Sequence, residues 1–157
     1  MQNPNQMISK TMIFEEVALA LQGSDMPQEQ IRQRVEDTLK VCGLYPFRNW
    51  PISALSFGQK KRVTIASVLV QQPELIILDE PFNFLDPSSQ SVIKHLLKKY
   101  NEEHNATVII SSHNLNHTVD VCPRIAVLEH GVIIRDLVNE NNSAEKELED
   151  YFNVEEE

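Results

Sequence analysis

The sequence predicts an α/β chain organised around part of a parallel sheet. Two segments carry this expectation. Leu75-Ile76-Ile77-Leu78 and Val108-Ile109-Ile110, within Thr107 to Ser111, run apolar through consecutive positions, the pattern of strands covered by helices on both faces. Between them, Asp86-Pro87 marks a helix start, an oxygen-bearing cap followed by a proline whose missing N–H costs nothing in the first turn.

Before the first strand, the opening residues Met1 to Gln6 are polar and turn-like. Thr11 to Leu21 reads as a short helix with Phe14, Val17, Ala18 and Leu21 on one face. Gly23-Ser24-Asp25 breaks it, and Pro27 suits the first turn of a helix running to about Val41. Ile31, Val35, Leu39 and Cys42 lie at helical spacing there, and Gly43 is a natural stop. Leu44 to Ala54, with two prolines and Trp50, reads as a loop. Gly58 to about Gln71 is a largely buried helix through Val63, Ile65, Ala66, Leu69 and Val70.

Beyond Asp86-Pro87, the helix presents Val92, Ile93, Leu96, Leu97 and Tyr100. A short helix follows the second strand at Leu115 to Val121. Arg124 to Glu129 and Val132 to Asp136, joined by His130-Gly131, read as a hairpin. From Asn139 the chain is polar and then acidic. A helix around Ala144 to Phe152 competes there with a solvated tail, and the acidity favours the tail.

With 157 residues, 41% hydrophobic and 24% charged, the chain has the makings of one soluble globular domain. A net charge of −9 argues against a nucleic-acid surface. The basic runs Lys60-Lys61-Arg62 and Lys98-Lys99 read as solvated helix faces. No apolar run nears the roughly 20 residues of a membrane span, and no signal-peptide pattern is visible. Cys42 and Cys122 lie in apolar contexts and read as reduced core residues.

Three clusters carry chemistry. The first strand ends in Asp79-Glu80, which places two acids at the carboxyl edge of the sheet, where α/β sheets bind ligands. Burying adjacent acids is costly, so a metal or a paired base is expected. One carboxylate can hold Mg²⁺, mostly through water, and the next can orient or deprotonate an attacking water. Acids that simply face solvent are the alternative. Leu55-Ser56-Phe57-Gly58-Gln59 opens the third helix. Its hydroxyl, exposed N–H groups and positive helix end could meet an anion, or Ser56 could be an ordinary cap. His113, after Ser111-Ser112, could reach a terminal phosphate from the same sheet edge, although such a His is more often structural.

As an ordered set, these residues resemble the ATP-binding-cassette (ABC) ATPases. The family signature LSGGQ corresponds to Leu55 to Gln59, with Lys60, Lys61 and Arg62 after it. The Walker B strand and its glutamate match Leu75 to Glu80, the D-loop matches Phe84-Leu85-Asp86-Pro87, the switch histidine matches His113, and the Q-loop glutamine matches Gln2. The resemblance runs from Gln2 to Asp136. It implies a P-loop NTPase fold, present in part: a helical subdomain at about residues 11–54 within an ATPase portion at 1–138, then an acidic tail at 139–157.

The resemblance implies ATP and Mg²⁺ as cofactors. Asp79 and Gln2 would attend the metal, Glu80 and His113 the chemistry, and Gln2, Ser56, Gly58, Gln59 and Asp86 the nucleotide. Phe57 departs from the usual glycine of the signature, and Phe84 from the small residue before the D-loop leucine. Gln2 to Arg62 looks like the importer ATPases of energy-coupling-factor systems, and Phe82 onward is nearer to exporter-type ATPases.

The four glycines are Gly23, Gly43, Gly58 and Gly131, and no G-x-x-x-x-G-K-[ST] loop occurs. In the family that loop binds the β and γ phosphates. The chain is therefore expected to start at the Q-loop, past the phosphate loop, and to have negligible ATPase activity alone. Its strands are expected to lack neighbours and to favour association. The family works as a dimer in which each signature faces the partner's ATP. The implied partners are a second ABC ATPase subunit and a transmembrane permease, at the cytoplasmic face of the membrane. A signature-donating or regulatory partner without catalysis is the second reading. An SMC-like DNA-repair ATPase head is the third, disfavoured by the short, broken Thr11 to Ala54 stretch and the acidic charge.

Overall fold

A computed structural model describes residues 4–154. The chain divides into two compact units, one ending at Ile109 and the other starting at Ile110.

The first unit holds α1 (Ile13–Leu19), α2 (Gln28–Val41), α3 (Phe57–Leu69), β1 (Leu75–Asp79) and α4 (Pro87–His104), with 3₁₀ turns at Pro4–Gln6, Tyr45–Phe47 and Ile52–Ala54. β2 (Thr107–Ser111) straddles the division. It pairs with β1 to give the small parallel sheet that the sequence predicts. α3 is the centre of this unit, packing against α1, α2 and α4. Val63, Ile65, Ala66 and Leu69 are buried on it, and α1 contributes Ile13 and Val17, α2 Val35 and Leu39, α4 Ile93, Leu96 and Leu97. None of the α3 residues is exposed, which fits a helix that other elements surround.

Local chemistry sets the ends. Pro27 stands just outside α2 as its N-cap, in extended conformation with ψ 145, rather than inside the first turn. Its carbonyl accepts from the Ile31 N–H at 3.1 Å. At the other end Gly43 adopts φ +65. The Leu44 N–H then reaches back to the Leu39 carbonyl at 2.8 Å, and the Gly43 N–H to Lys40 at 3.0 Å. This pair of bonds is the Schellman closure, which favours glycine for its left-handed residue. The loop after it is tied to α1: Ile52 N–H donates to Thr11 at 2.8 Å and Ile13 N–H to Trp50 at 3.2 Å.

β1 buries one face only. Ile76 and Leu78 are inside, whereas Leu75 and Ile77 are 52% and 68% exposed. Ile109 of β2 is also exposed. The apolar run that suggested two covered faces thus covers one within this unit. Cys42 is buried and free, and burial pushes its thiol up to about 12.

The second unit holds α5 (Leu115–Val121), the hairpin β3 (Arg124–Glu129) and β4 (Val132–Val138), and α6 (Glu145–Val154). The hairpin is antiparallel, with a bulge at Val127/Leu128. His130 and Gly131 turn it with φ 48 and φ 80, the paired left-handed conformation of a two-residue hairpin turn. Arg124 grips Asp136 across the strands with bonds of 2.9 and 2.6 Å.

The stretch read as a solvated tail is ordered differently. Ala144 and Leu148 are buried with Val119 and Ile125, and Leu115, Val127 and Leu137 pack around them. Buried Asn139 joins the pieces. Its Nδ2 donates to the carbonyls of Val119 at 2.7 Å and Cys122 at 2.8 Å, and its Oδ1 accepts from the Ala144 N–H at 3.3 Å. Among the described residues, no helix is long and apolar enough to cross a membrane.

Candidate functional site

The start of α3 touches the start of α4 through Gly58 and Ser89, and Lys61 of α3 reaches the turn that follows β1. Ser56 caps α3 in a reciprocal pair of bonds. Its hydroxyl accepts from the Gln59 N–H at 3.2 Å, and its own N–H donates to Gln59 Oε1 at 2.9 Å. This capping box satisfies two N–H groups at the helix start. Both side chains are therefore fixed rather than loose, with Ser56 exposed at the tip.

Gly58, the second residue of α3, is buried against the start of α4. A Cβ there would lie 2.4 Å from Ser89 Oγ and 2.9 Å from Ser89 Cβ. Glycine thus lets two helix starts touch. Asp86 caps α4 on the other side of that contact: one carboxylate oxygen accepts the Ser89 N–H at 3.0 Å, the other the Ser89 hydroxyl at 2.6 Å. The Ser89 hydroxyl, followed by the Ser89 N–H, holds the Asp86 carboxyl below its usual range. A depressed carboxyl pKa stabilises the fold fully above the unfolded value, about 3.9, and less as pH falls through the folded one. Asp86→Asn is therefore expected to remove part of the acid loss of helicity below that value, read by far-UV circular dichroism against the parent chain.

The turn joining β1 to α4 is drawn tight from both sides. Asp79 ends β1 and is exposed, Glu80 is half-buried with φ 47, and Phe84 takes φ 61. Lys61 of α3 reaches the turn from one side, its ammonium donating to the carbonyls of Glu80 at 3.2 Å and Asn83 at 3.3 Å. Gln90 of α4 closes the other, its amide donating to Phe82 at 3.3 Å and Leu85 at 3.1 Å. Side chains thus hold carbonyls throughout an irregular turn, where a regular ladder is absent.

Lys61 is the residue at this joint that the sequence misplaced. Read there as part of a solvated basic face, it is only 2% exposed. Burial lowers its pKa, and the charge of Glu80 opposes that shift. Its neighbour Arg62 turns the other way, donating to the carbonyls of Cys42 at 3.1 Å and Gly43 at 3.4 Å. No local signal separates these two roles, because the partners of Lys61 lie about twenty residues further along the chain.

The acids fit Mg²⁺ in a limited sense. Among the described residues, no group of three or more His, Cys, Asp or Glu side chains could hold a metal ion. An exposed Asp79 beside Glu80 offers hard oxygens at a strand end, which suits a cation completing its shell with water and phosphate oxygens. His113 belongs to the second unit, exposed in the bend between β2 and α5. Next to it, Asn114 caps α5, its side chain accepting from the His117 N–H at 3.2 Å. Gln2 lies outside the described residues.

A family model described as ABC transporter matches residues 1–83. A Clostridium perfringens protein is 47% identical over 148 residues, which is 94% of this chain and 26% of that protein. An Enterococcus faecalis protein is 52% identical over 136 residues, 87% of this chain and 24% of that one. Both carry the name "Putative ABC transporter ATP-binding protein". The chain thus spans about a quarter of the length of the curated relatives it matches. Among solved structures, cbiO1 of Clostridium perfringens, part of the cbiONQ ABC transporter complex, aligns with TM-score 0.85 at 35% identity, covering 98% of this chain and 61% of that one. A dimeric ATP-binding cassette in a post-hydrolysis state, bound to ADP and Pi, aligns with TM-score 0.74 at 33% identity, covering 90% and 62%.

Proposed function

The chain belongs to the ABC transporter family, and on that premise we propose that it is part of an ATP-hydrolysing subunit that couples ATP to transmembrane transport. The observation that carries this reading is the joint held by Gly58 against Ser89 and by Lys61 against Glu80 and Asn83. It ties the helix that Ser56 caps to the turn that follows the two strand-end acids and to the Asp86 cap.

In this reading Asp79 and Gln2 attend Mg²⁺, which neutralises phosphate charge when bound. Glu80 orients or deprotonates the attacking water. His113 meets the terminal phosphate. Ser56, Gly58 and Gln59 face the ATP of a second ABC ATPase subunit, and Asp86 lies at the same contact. Residues 1–138 form the ATPase portion, the helices within 11–54 meet a permease, and 139–157 follow as an acidic extension. The likeness to cbiO1 supports the energy-coupling-factor importer branch over the exporter one. The permease would hold the subunit at the inner face of the membrane.

Because these 157 residues contain no G-x-x-x-x-G-K-[ST] loop, they are expected to hydrolyse ATP negligibly by themselves. The exposed, fixed Ser56 favours one active route, donation to the ATP of a complete subunit. The test is to purify the chain with a full-length ABC ATPase subunit and measure turnover with and without Ser56→Ala. Loss of any stimulation is expected, with helicity checked because the lost cap costs about 1 kcal/mol. Unchanged stimulation by a folded Ser56→Ala chain would sink the donation reading.

A further inference from the structure

A buried lysine needs a reason. Desolvating an ammonium costs several kcal/mol unless it is well paired, and a methionine of similar length would fill the same space without that cost. Lys61 is 2% exposed, and its two bonds from Nζ go to backbone carbonyls of one turn, Glu80 at 3.2 Å and Asn83 at 3.3 Å. Both acceptors lie in the segment that runs from the second acid, Glu80, to the α4 cap. That segment contains two left-handed non-glycine residues, Glu80 and Phe84, so its shape is one that the chain would not hold unaided.

We propose that Lys61 is a positioning residue: from the signature helix, it pins the Glu80 and Asn83 carbonyls and thereby sets the direction of the Glu80 carboxylate and the seat of Asp86. The proposal deepens the ATPase reading and rests on it for the role of Glu80, but the pinning itself does not. Its arrangement has a directional consequence. Ser56 and Gly58 start the helix that carries Lys61 one turn later, so a displacement of α3 by a nucleotide at its tip is delivered to the Glu80 backbone. Two nucleotide positions, one facing Ser56 and one facing Glu80, would then sense each other through a single ammonium group.

The test uses the full chain and needs no ATPase. Amide hydrogen exchange is followed at residues 80–86, with α4 residues 93–100 as internal control. Lys61→Met keeps length and removes the donors, so exchange at 80–86 is expected to rise about tenfold, the size of a lost charge-assisted bond, while the control barely changes. Lys61→Arg restores a buried cation with donors and is expected to recover most of the protection. If Lys61→Met fails to fold, the parent chain labelled with ¹⁵N lysine decides: a slowly exchanging ammonium signal, lost in Lys61→Arg, supports the pinning, and its absence overturns it. Equal exchange at 80–86 in parent and folded Lys61→Met also overturns it. An unchanged Ser56→Ala assay with a positive exchange result would instead refute donation to a second subunit and leave the pinning in place.

Discussion

Gly58→Ala is expected to destabilise the first unit by about 1–3 kcal/mol, the usual cost of forcing extra volume into a packed contact. The sign is the informative part. In an open helix, replacing glycine by alanine stabilises by up to about 1 kcal/mol. Here the new methyl would sit 2.4 Å from Ser89 Oγ and 2.9 Å from Ser89 Cβ, so the α3 start and the α4 start must part. Ser89→Ala in the same chain removes the closer clash and leaves the other, so it should return part of the loss. Urea unfolding of the four chains of this double-mutant cycle gives the coupling directly. A stabilised Gly58→Ala chain would show that the two helix starts do not meet as described. Because Ser89 also binds both oxygens of Asp86, the substitution is expected to disturb the α4 cap as well.

Leu148→Ala is expected to cost the second unit about 2–4 kcal/mol, the range for emptying a buried leucine site. Leu148 is 1% exposed and sits with Val119, Ile125 and Ala144 in a cluster drawn from α5, β3 and α6. A unit this small has little else to bury, so the loss should fall on its cooperative unfolding rather than on a local fraying of α6. Amide exchange in β3 and β4 should accelerate sharply, while exchange in α3 and α4 of the other unit provides the reference. Unchanged protection of the hairpin would restore the solvated-tail reading of residues 139–157.

These two residues also show what the sequence discloses and what it hides. Gly58 was legible because it belongs to a contiguous motif, and the same holds for Ser56, Asp79-Glu80 and Asp86, whose roles as caps or strand ends are decided within a few positions. The helix stop at Gly43 is likewise local. Leu148 was obscured because the acidic residues around it outweighed an i, i+4 pair with Ala144, and only packing from α5 and β3 turns that pair into a core. Lys61 was hidden for a related reason: flanked by Lys60 and Arg62, it has the composition of a solvated face, and its burial depends on a turn formed by residues far along the chain. The run at Leu75 to Leu78 signalled a strand correctly, but periodicity alone could not say that one face would stay open in this unit.

Phe84 carries an implication of a different sort. Its aromatic side chain is 82% exposed, so it gains little from burial, and its φ of 61 is one that a residue with a Cβ adopts at a cost of about 1–2 kcal/mol. On folding alone, glycine or asparagine serves better at that position. A library of variants sorted only for heat resistance would drift away from phenylalanine there, and one sorted for activity with its assembly partners would reveal whether the ring is kept. The position is thus a natural reporter of which selection pressure a population has experienced.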